Sequence, residues 1–124
     1  MSFLNKIFGS SEEEKSSETF WKNINSEEDL NEAVKESFEN KVVIFKHSTR
    51  CFISKTVLKN FEKEVKNFEK NVSYYFLDLI AHRNLSNKIA DDFEVIHQSP
   101  QLIVLENGKA VNNASHQSIS VSLI

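Results

Sequence analysis

Val42-Val43-Ile44-Phe45-Lys46-His47-Ser48-Thr49-Arg50-Cys51-Phe52-Ile53-Ser54-Lys55 is the stretch on which the reading of this chain turns. An unbroken apolar run from Val42 to Phe45 is what a central strand covered on both faces requires. A polar turn follows, and then Val57, Leu58, Phe61, Val65 and Phe68 recur at helical spacing with Lys and Glu between them. The stretch predicts a buried strand, a turn and an amphipathic helix. The chain's single cysteine, Cys51, stands where the turn becomes helix.

Working upstream, Phe20-Trp21-Lys22-Asn23-Ile24 predicts a short first strand and Ser26 a helix N-cap. Glu27, Glu28 and Asp29 fill the first turn, where the helix dipole favours negative charge. Leu30, Ala33, Val34, Ser37 and Phe38 then predict one buried helical stripe, with Asn40 as the stop. Downstream, residues 72–79 (VSYYFLDL) are aromatic and β-branched, hence a strand. Leu85, Ile89 and Phe93 mark a third helix, and residues 100–105 (PQLIVL) a strand headed by the only proline. Asn107-Gly108 is a strong hairpin signal, so residues 109–114 should return antiparallel. Residues 118–124 should close with a short helix. The order β-α-β-α-β-α-β-β-α predicts an α/β fold. It has a mixed central sheet flanked by helices, a parallel core, right-handed crossovers and an antiparallel edge at the hairpin.

At 124 residues the chain is one domain's worth, and 40% hydrophobic with 27% charged residues is a globular balance. One cysteine excludes a disulfide-stapled scaffold. Only Gly9 and Gly108 are present, so neither a P-loop nor a dinucleotide fingerprint can be built. The formal charge of −3 argues against broad nucleic-acid binding, and no apolar run is long enough to span a bilayer, so neither nucleic acid nor membrane is an expected partner. Residues 1–18 read as a tail and residues 19–124 as a single domain. Phe3, Leu4, Ile7 and Phe8 in the tail fall at helical spacing, but the segment has neither the apolar core nor the cleavage site of a signal peptide. The expected compartment is the cytoplasm, which suits a lone reduced cysteine.

Cys51 is the candidate nucleophile. Amide N–H groups at a helix N-terminus favour a thiolate. Lys46, Arg50 and Lys55 lie close in sequence, His47 precedes the cysteine by four residues, and no acid occurs between Lys41 and Lys59. Ser54 makes the pattern Cys-x-x-Ser, which lacks a resolving thiol; its hydroxyl is expected to bond toward the sulfur or to cap the turn. Ser99-Pro100 is the one position where a cis peptide bond is cheap. His47, His82, His97 and His116 show no metal-ligand spacing, so no metal is expected. Val57 stands where a phosphatase anion loop would need arginine. His82 and Arg83, which follow a strand end, read as a solvated loop.

These residues carry a family likeness. The segment Lys46-His47-Ser48-Thr49-Arg50-Cys51-Phe52-Ile53-Ser54 resembles the active-site segment of the monothiol bacilliredoxins, YtxJ-type proteins of thioredoxin-like fold. The likeness continues through Tyr75-Phe76-Leu77-Asp78-Leu79-Ile80, His82-Arg83, Ser86-Asn87 and His97-Gln98-Ser99-Pro100-Gln101. It ends in Asn107-Gly108-Lys109-Ala110 and Ala114-Ser115-His116. The resemblance implies a nucleophile at Cys51 and a cis-proline loop at Ser99-Pro100. Around the thiol it implies stabilising or substrate-binding roles for Lys46, His47, Thr49, Arg50, Phe52, Ser54 and Lys55. Many members have proline directly after the cysteine; here it is Phe52, which restores an N–H and adds a ring beside the sulfur.

The implied activity is removal of bacillithiol from protein mixed disulfides. No cofactor is bound; bacillithiol is the co-substrate, and bacillithiolated proteins and a low-molecular-weight thiol are the partners. Three alternatives stand beside it. A monothiol glutaredoxin-like protein would use glutathione or hold an iron–sulfur cluster, and Cys-Gly-Phe-Ser would be expected where Cys51-Phe52-Ile53-Ser54 stands. A non-enzymatic thioredoxin-fold interaction module would tolerate loss of Cys51. A general thiol-redox sensor would respond to peroxide alone.

Overall fold

The structure, a computed structural model, describes residues 20–124. The tail read over residues 1–18 therefore lies outside the described residues, as does residue 19 at the start of the domain. The elements run β1 (Trp21–Asn23), α1 (Glu27–Glu36), β2 (Lys41–His47), α2 (Phe52–Lys66), β3 (Val72–Asp78), α3 (Arg83–Phe93), β4 (Gln101–Glu106) and β5 (Lys109–Ser115). Two 3-10 turns follow, His116–Ser118 and Val121–Leu123, in place of one closing helix. Ile119 and Ser120 between them are extended, and a serine- and β-branched-rich segment has little helix propensity to bridge that break.

The five strands form one mixed sheet in the order β1-β3-β2-β4-β5. β1 and β2 both run parallel to β3, whereas β4 is antiparallel to β2 and β5 to β4. The alternation of elements predicts β4 as part of the parallel core, and the structure corrects this. Residues 94–100 form a loop without regular structure after α3, opening on Glu94 in the left-handed region and ending in the Ser99–Pro100 bend. Eleven helical residues rise about 16 Å, and seven loop residues can span at most about 23 Å. The loop is thus long enough to retrace the helix, and β4 begins beside the end of β2, with Gln101 opposite Lys46.

The sheet separates two cores, as the period of 2 along β2 requires. Val42 and Ile44 pack with Leu30 and Ala33 of α1 and Leu85 and Ile89 of α3. Val43 and Phe45 pack with Val57, Leu58, Phe61 and Val65 of α2, and with Ile119 and Ile124. Helix α1 starts as its sequence predicts, with the Ser26 hydroxyl accepting from the Asp29 N–H at 3.1 Å. Its end differs. Phe38, expected on the buried stripe, is 62% exposed, because α1 stops at Glu36 and Ser37 caps it. The Phe38 ring instead lies over the hairpin turn, so close to Gly108 that a Cβ there would sit 2.8 Å from the ring. Gly108 also has φ +79°, a left-handed conformation that glycine adopts freely. Asn107 and Gly108 N–H groups donate to the Ser37 carbonyl and hydroxyl at 2.8 and 2.9 Å, which ties the turn to the end of α1.

Candidate active site

Strand β2 delivers its last residues to the rim of the sheet, and the chain turns through Ser48, Thr49 and Arg50 into α2. Cys51 is the N-cap of that helix, half-buried, with extended backbone. Its N–H donates to the Ser48 carbonyl at 3.2 Å, and its own carbonyl accepts the first helical bond from Lys55 N–H at 3.1 Å. The thiol makes no capping bond, and the first turn of α2 holds no acidic side chain. The sulfur therefore stands at the positive end of a 15-residue helix with no nearby helical carboxylate to oppose a negative charge.

Ser54 is fully buried. Its Oγ accepts from the Ser48 N–H at 3.1 Å and shares a 2.8 Å hydrogen bond with His47 Nδ1. The expected bond from Ser54 toward the sulfur is replaced by this inward pair, which closes the turn that presents Cys51. His47 is fully buried too, its ring 5.5 Å from Phe76 and 6.4 Å from Phe45. It braces the turn from the α2 core rather than offering a ring to solvent.

Lys46 needs the largest correction. One residue before His47, it points to the opposite face, alongside Val42 and Ile44. It is 0% exposed, and its ammonium donates to the Ser86 carbonyl of α3 at 3.4 Å. Burial and the neighbouring Arg83 push its pKa down to about 8. It is not a surface charge beside the thiol. Arg50, Phe52 and Lys55 are exposed and Thr49 half-buried, so these four stay at the rim around Cys51. The Phe52 side chain is 81% exposed. A groove of about 270 Å³ runs beside it, lined by Phe52, Ile53, Thr56, Val57, Asn60 and Gln117.

The Ser99–Pro100 peptide bond is cis. Pro100 is buried, and its carbonyl accepts from the His116 N–H at 3.1 Å. The loop is held from below by Gln101, whose Nε2 donates to the Ile96 carbonyl at 2.9 Å. Because Gln101 pairs with Lys46, this loop and the Cys51 turn share one end of the sheet. A half-buried Cys at the start of α2 and a cis-proline loop thus stand at the same end of the sheet. The family model for monothiol bacilliredoxin BrxC matches residues 22–124.

The chain belongs to the monothiol bacilliredoxin BrxC family.

Solved structures agree on the bacilliredoxin's fold. A protein with a thioredoxin fold is 31% identical, with 83% of this chain and 88% of that chain covered and a TM-score of 0.72. Thioredoxin from Malassezia sympodialis is 19% identical, with 76% of each chain covered and a TM-score of 0.63. Fasciola hepatica thioredoxin is 17% identical over 76% of this chain and 85% of that chain, with a TM-score of 0.60. The latter two show the fold alone. Among the described residues, no helix of this bacilliredoxin is long and apolar enough to cross a membrane.

Sequence reasoning missed Ser86 and the inward role of Gln101, and it read Arg83 as part of a solvated loop. A signal was present: a lysine two residues after Ile44 in an apolar run must share the buried face of Val42 and Ile44. It therefore needs a polar partner from whatever covers that face, here α3.

Proposed function

We propose that this protein removes bacillithiol from mixed disulfides on protein cysteines, with Cys51 as the only thiol that the protein itself brings to the cycle. The observation that carries the reading is one cysteine, uncapped and half-buried at the start of α2, in a chain of this family. In the first step the Cys51 thiolate attacks the bacillithiol sulfur of the mixed disulfide. That S–S bond breaks, the protein cysteine leaves as thiolate, and Cys51 carries bacillithiol in a new S–S bond. A second bacillithiol thiolate then attacks this bond at the bacillithiol sulfur. Cys51 is released as thiolate and bacillithiol disulfide forms. Each step exchanges one S–S bond for another; the second bacillithiol is the reductant and ends as bacillithiol disulfide, so no further oxidant or reductant enters. With one cysteine in the chain no internal disulfide can resolve the intermediate, and an external thiol is required.

Several features support the reading. The α2 amides and the absence of a first-turn acid favour the attacking and leaving thiolate at Cys51. The Ser54 and His47 bonds hold the turn in place. Exposed Phe52 and the adjacent groove offer apolar surface to a protein partner. The test is intact-mass analysis after mixing the protein with a bacillithiolated client. The expected product is a Cys51–bacillithiol adduct together with free client thiol, absent in Cys51→Ser. Equal release from the same client capped with glutathione would defeat the bacillithiol preference and leave a general monothiol oxidoreductase.

A further inference from the structure

Three basic side chains from three different elements gather beneath the cis-proline loop. Lys46 of β2 donates to the Ser86 carbonyl, and the Ser86 hydroxyl in turn shares a 3.2 Å hydrogen bond with Nδ1 of His97, on the loop after α3. Arg83 stands one helical turn before Ser86 on α3 and is exposed, its Nε donating to Asn87 Oδ1 at 3.3 Å. Burial, with Lys46 and then Arg83 adding to it, holds the His97 ring below the usual histidine range.

Among the described residues, no carboxylate balances this group, and none forms an ion pair with Lys46, Arg83 or His97. The first turn of α3 has no acidic side chain. Asp78, at the adjoining strand end, is turned to its own loop, where Oδ1 accepts from the Ile80 and Ala81 N–H groups at 3.0 and 3.2 Å. The buried Lys46 charge has no counter-charge, and its field together with that of the exposed Arg83 is complementary to an anion. The groups are also graded outward: Lys46 is buried, His97 half-buried and Arg83 exposed, with Lys46 and Arg83 supplying the charge and His97 a ring that can hydrogen-bond. Through the Lys46–Gln101 pairing the group lies at the Cys51 end of the sheet.

We infer that Arg83 and His97, backed by the buried Lys46, form an anion subsite that takes a carboxylate of the small thiol carried on Cys51. The subsite rests on the thiol-exchange reading and adds to it a determinant of which thiol is carried. An incoming carboxylate meets Arg83 at the surface and the outer edge of His97, while Lys46 strengthens the field from behind.

The test uses two small thiols of different charge, mercaptosuccinate and the neutral thioglycerol. Cys51 is loaded with thioglycerol as a mixed disulfide and equilibrated with mercaptosuccinate at about pH 6.5. The exchange swaps one thiol for the other across the Cys51 S–S bond, and intact mass reads the ratio of the two adducts. Relative to the unaltered protein, Arg83→Gln is expected to lower the mercaptosuccinate share about 3-fold and Arg83→Gln with His97→Gln about 10-fold. Arg50→Gln with Lys55→Gln tests the rim cations as the competing carboxylate site, and Lys63→Gln with Lys109→Gln, two exposed lysines outside the site, should change the share by less than about 2-fold. Lys46→Met should lower it as well; should that variant not fold, the two surface variants decide. An unchanged ratio in the Arg83/His97 double variant, or a fall confined to the Arg50/Lys55 variant, would overturn the subsite. Release of bacillithiol from a client by the unaltered protein is measured in parallel. If that fails while the mercaptosuccinate preference still depends on Arg83 and His97, the subsite stands and the bacillithiol reading falls.

Discussion

Neighbouring side chains at the end of β2 divide between two jobs. His47 turns toward α2 and, through Ser54, fixes the turn that carries the thiol; Lys46 turns toward α3 and supports the proline loop. Ser54→Ala would strip the Ser48 N–H and His47 of their shared partner inside the protein. The expected cost is about 1–3 kcal/mol, read from urea unfolding, with exchange at Cys51 slowed but not lost. A fully abolished exchange in a folded Ser54→Ala protein would instead give the hydroxyl a direct part in the chemistry. Lys46 makes a pH prediction. Its folded pKa is about 8 against a usual 10.5, so the unfolded chain binds more protons between these values. Stability should therefore rise with pH across that window, with the full penalty present below about pH 8. Lys46→Met should remove the penalty, raise stability near pH 7 by about 1–2 kcal/mol and flatten the rise, as urea titrations at pH 7 and pH 10 would show. A less stable Lys46→Met at both pH values would mean that the bond to Ser86 outweighs the cost of burial.

At the scale of elements, the contact between α1 and the β4–β5 turn is the least anticipated. Ser37 serves both as the helix cap and as acceptor for two N–H groups of the turn, and the Phe38 ring covers Gly108. Gly108→Ala must place a Cβ at positive φ and against that ring. A loss of more than about 1 kcal/mol is expected in urea unfolding. The double variant Gly108→Ala with Phe38→Ala should recover part of it, since only the ring clash is relieved. Full additivity of the two changes would show that the ring and the turn do not meet in solution.

Taken whole, the molecule is held by two cores on either side of one sheet, and its edge strand β1 has only three residues. That strand is secured from the side: Trp21 Nε1 donates to Glu62 of α2 at 2.7 Å, and its ring packs near Phe45, Phe61, Tyr74 and Phe76. Trp21 is also the only tryptophan, so its fluorescence reports on this junction alone. Unfolding followed by Trp21 fluorescence and by far-ultraviolet circular dichroism should give coincident transitions. An earlier fluorescence transition would mean that β1 leaves before the rest of the sheet. Phe61→Ala, at the centre of that aromatic group, should cost about 3–5 kcal/mol.

The local elements were legible because each depends on neighbours in sequence. The apolar run in β2, the Ser26 cap with its acidic first turn, the helical spacing of Val57, Leu58 and Phe61, and Asn107-Gly108 all act over a few residues. Each of these appears in the structure as an element or a turn. The position of Cys51 at the start of α2 was legible for the same reason. What the sequence could not convey alone depended on how the chain returns upon itself. Residues 94–100 are long enough to return along α3, and β4 runs antiparallel to β2. The face of the sheet to which each β2 residue points was implicit in the alternation. The partners on that face were not, because α2, α3 and the proline loop arrive there from 7 to 55 residues away, from Ser54 opposite His47 to Gln101 opposite Lys46. Short-range propensity determines elements; the chemistry gathered at their ends belongs to side chains that only packing brings together.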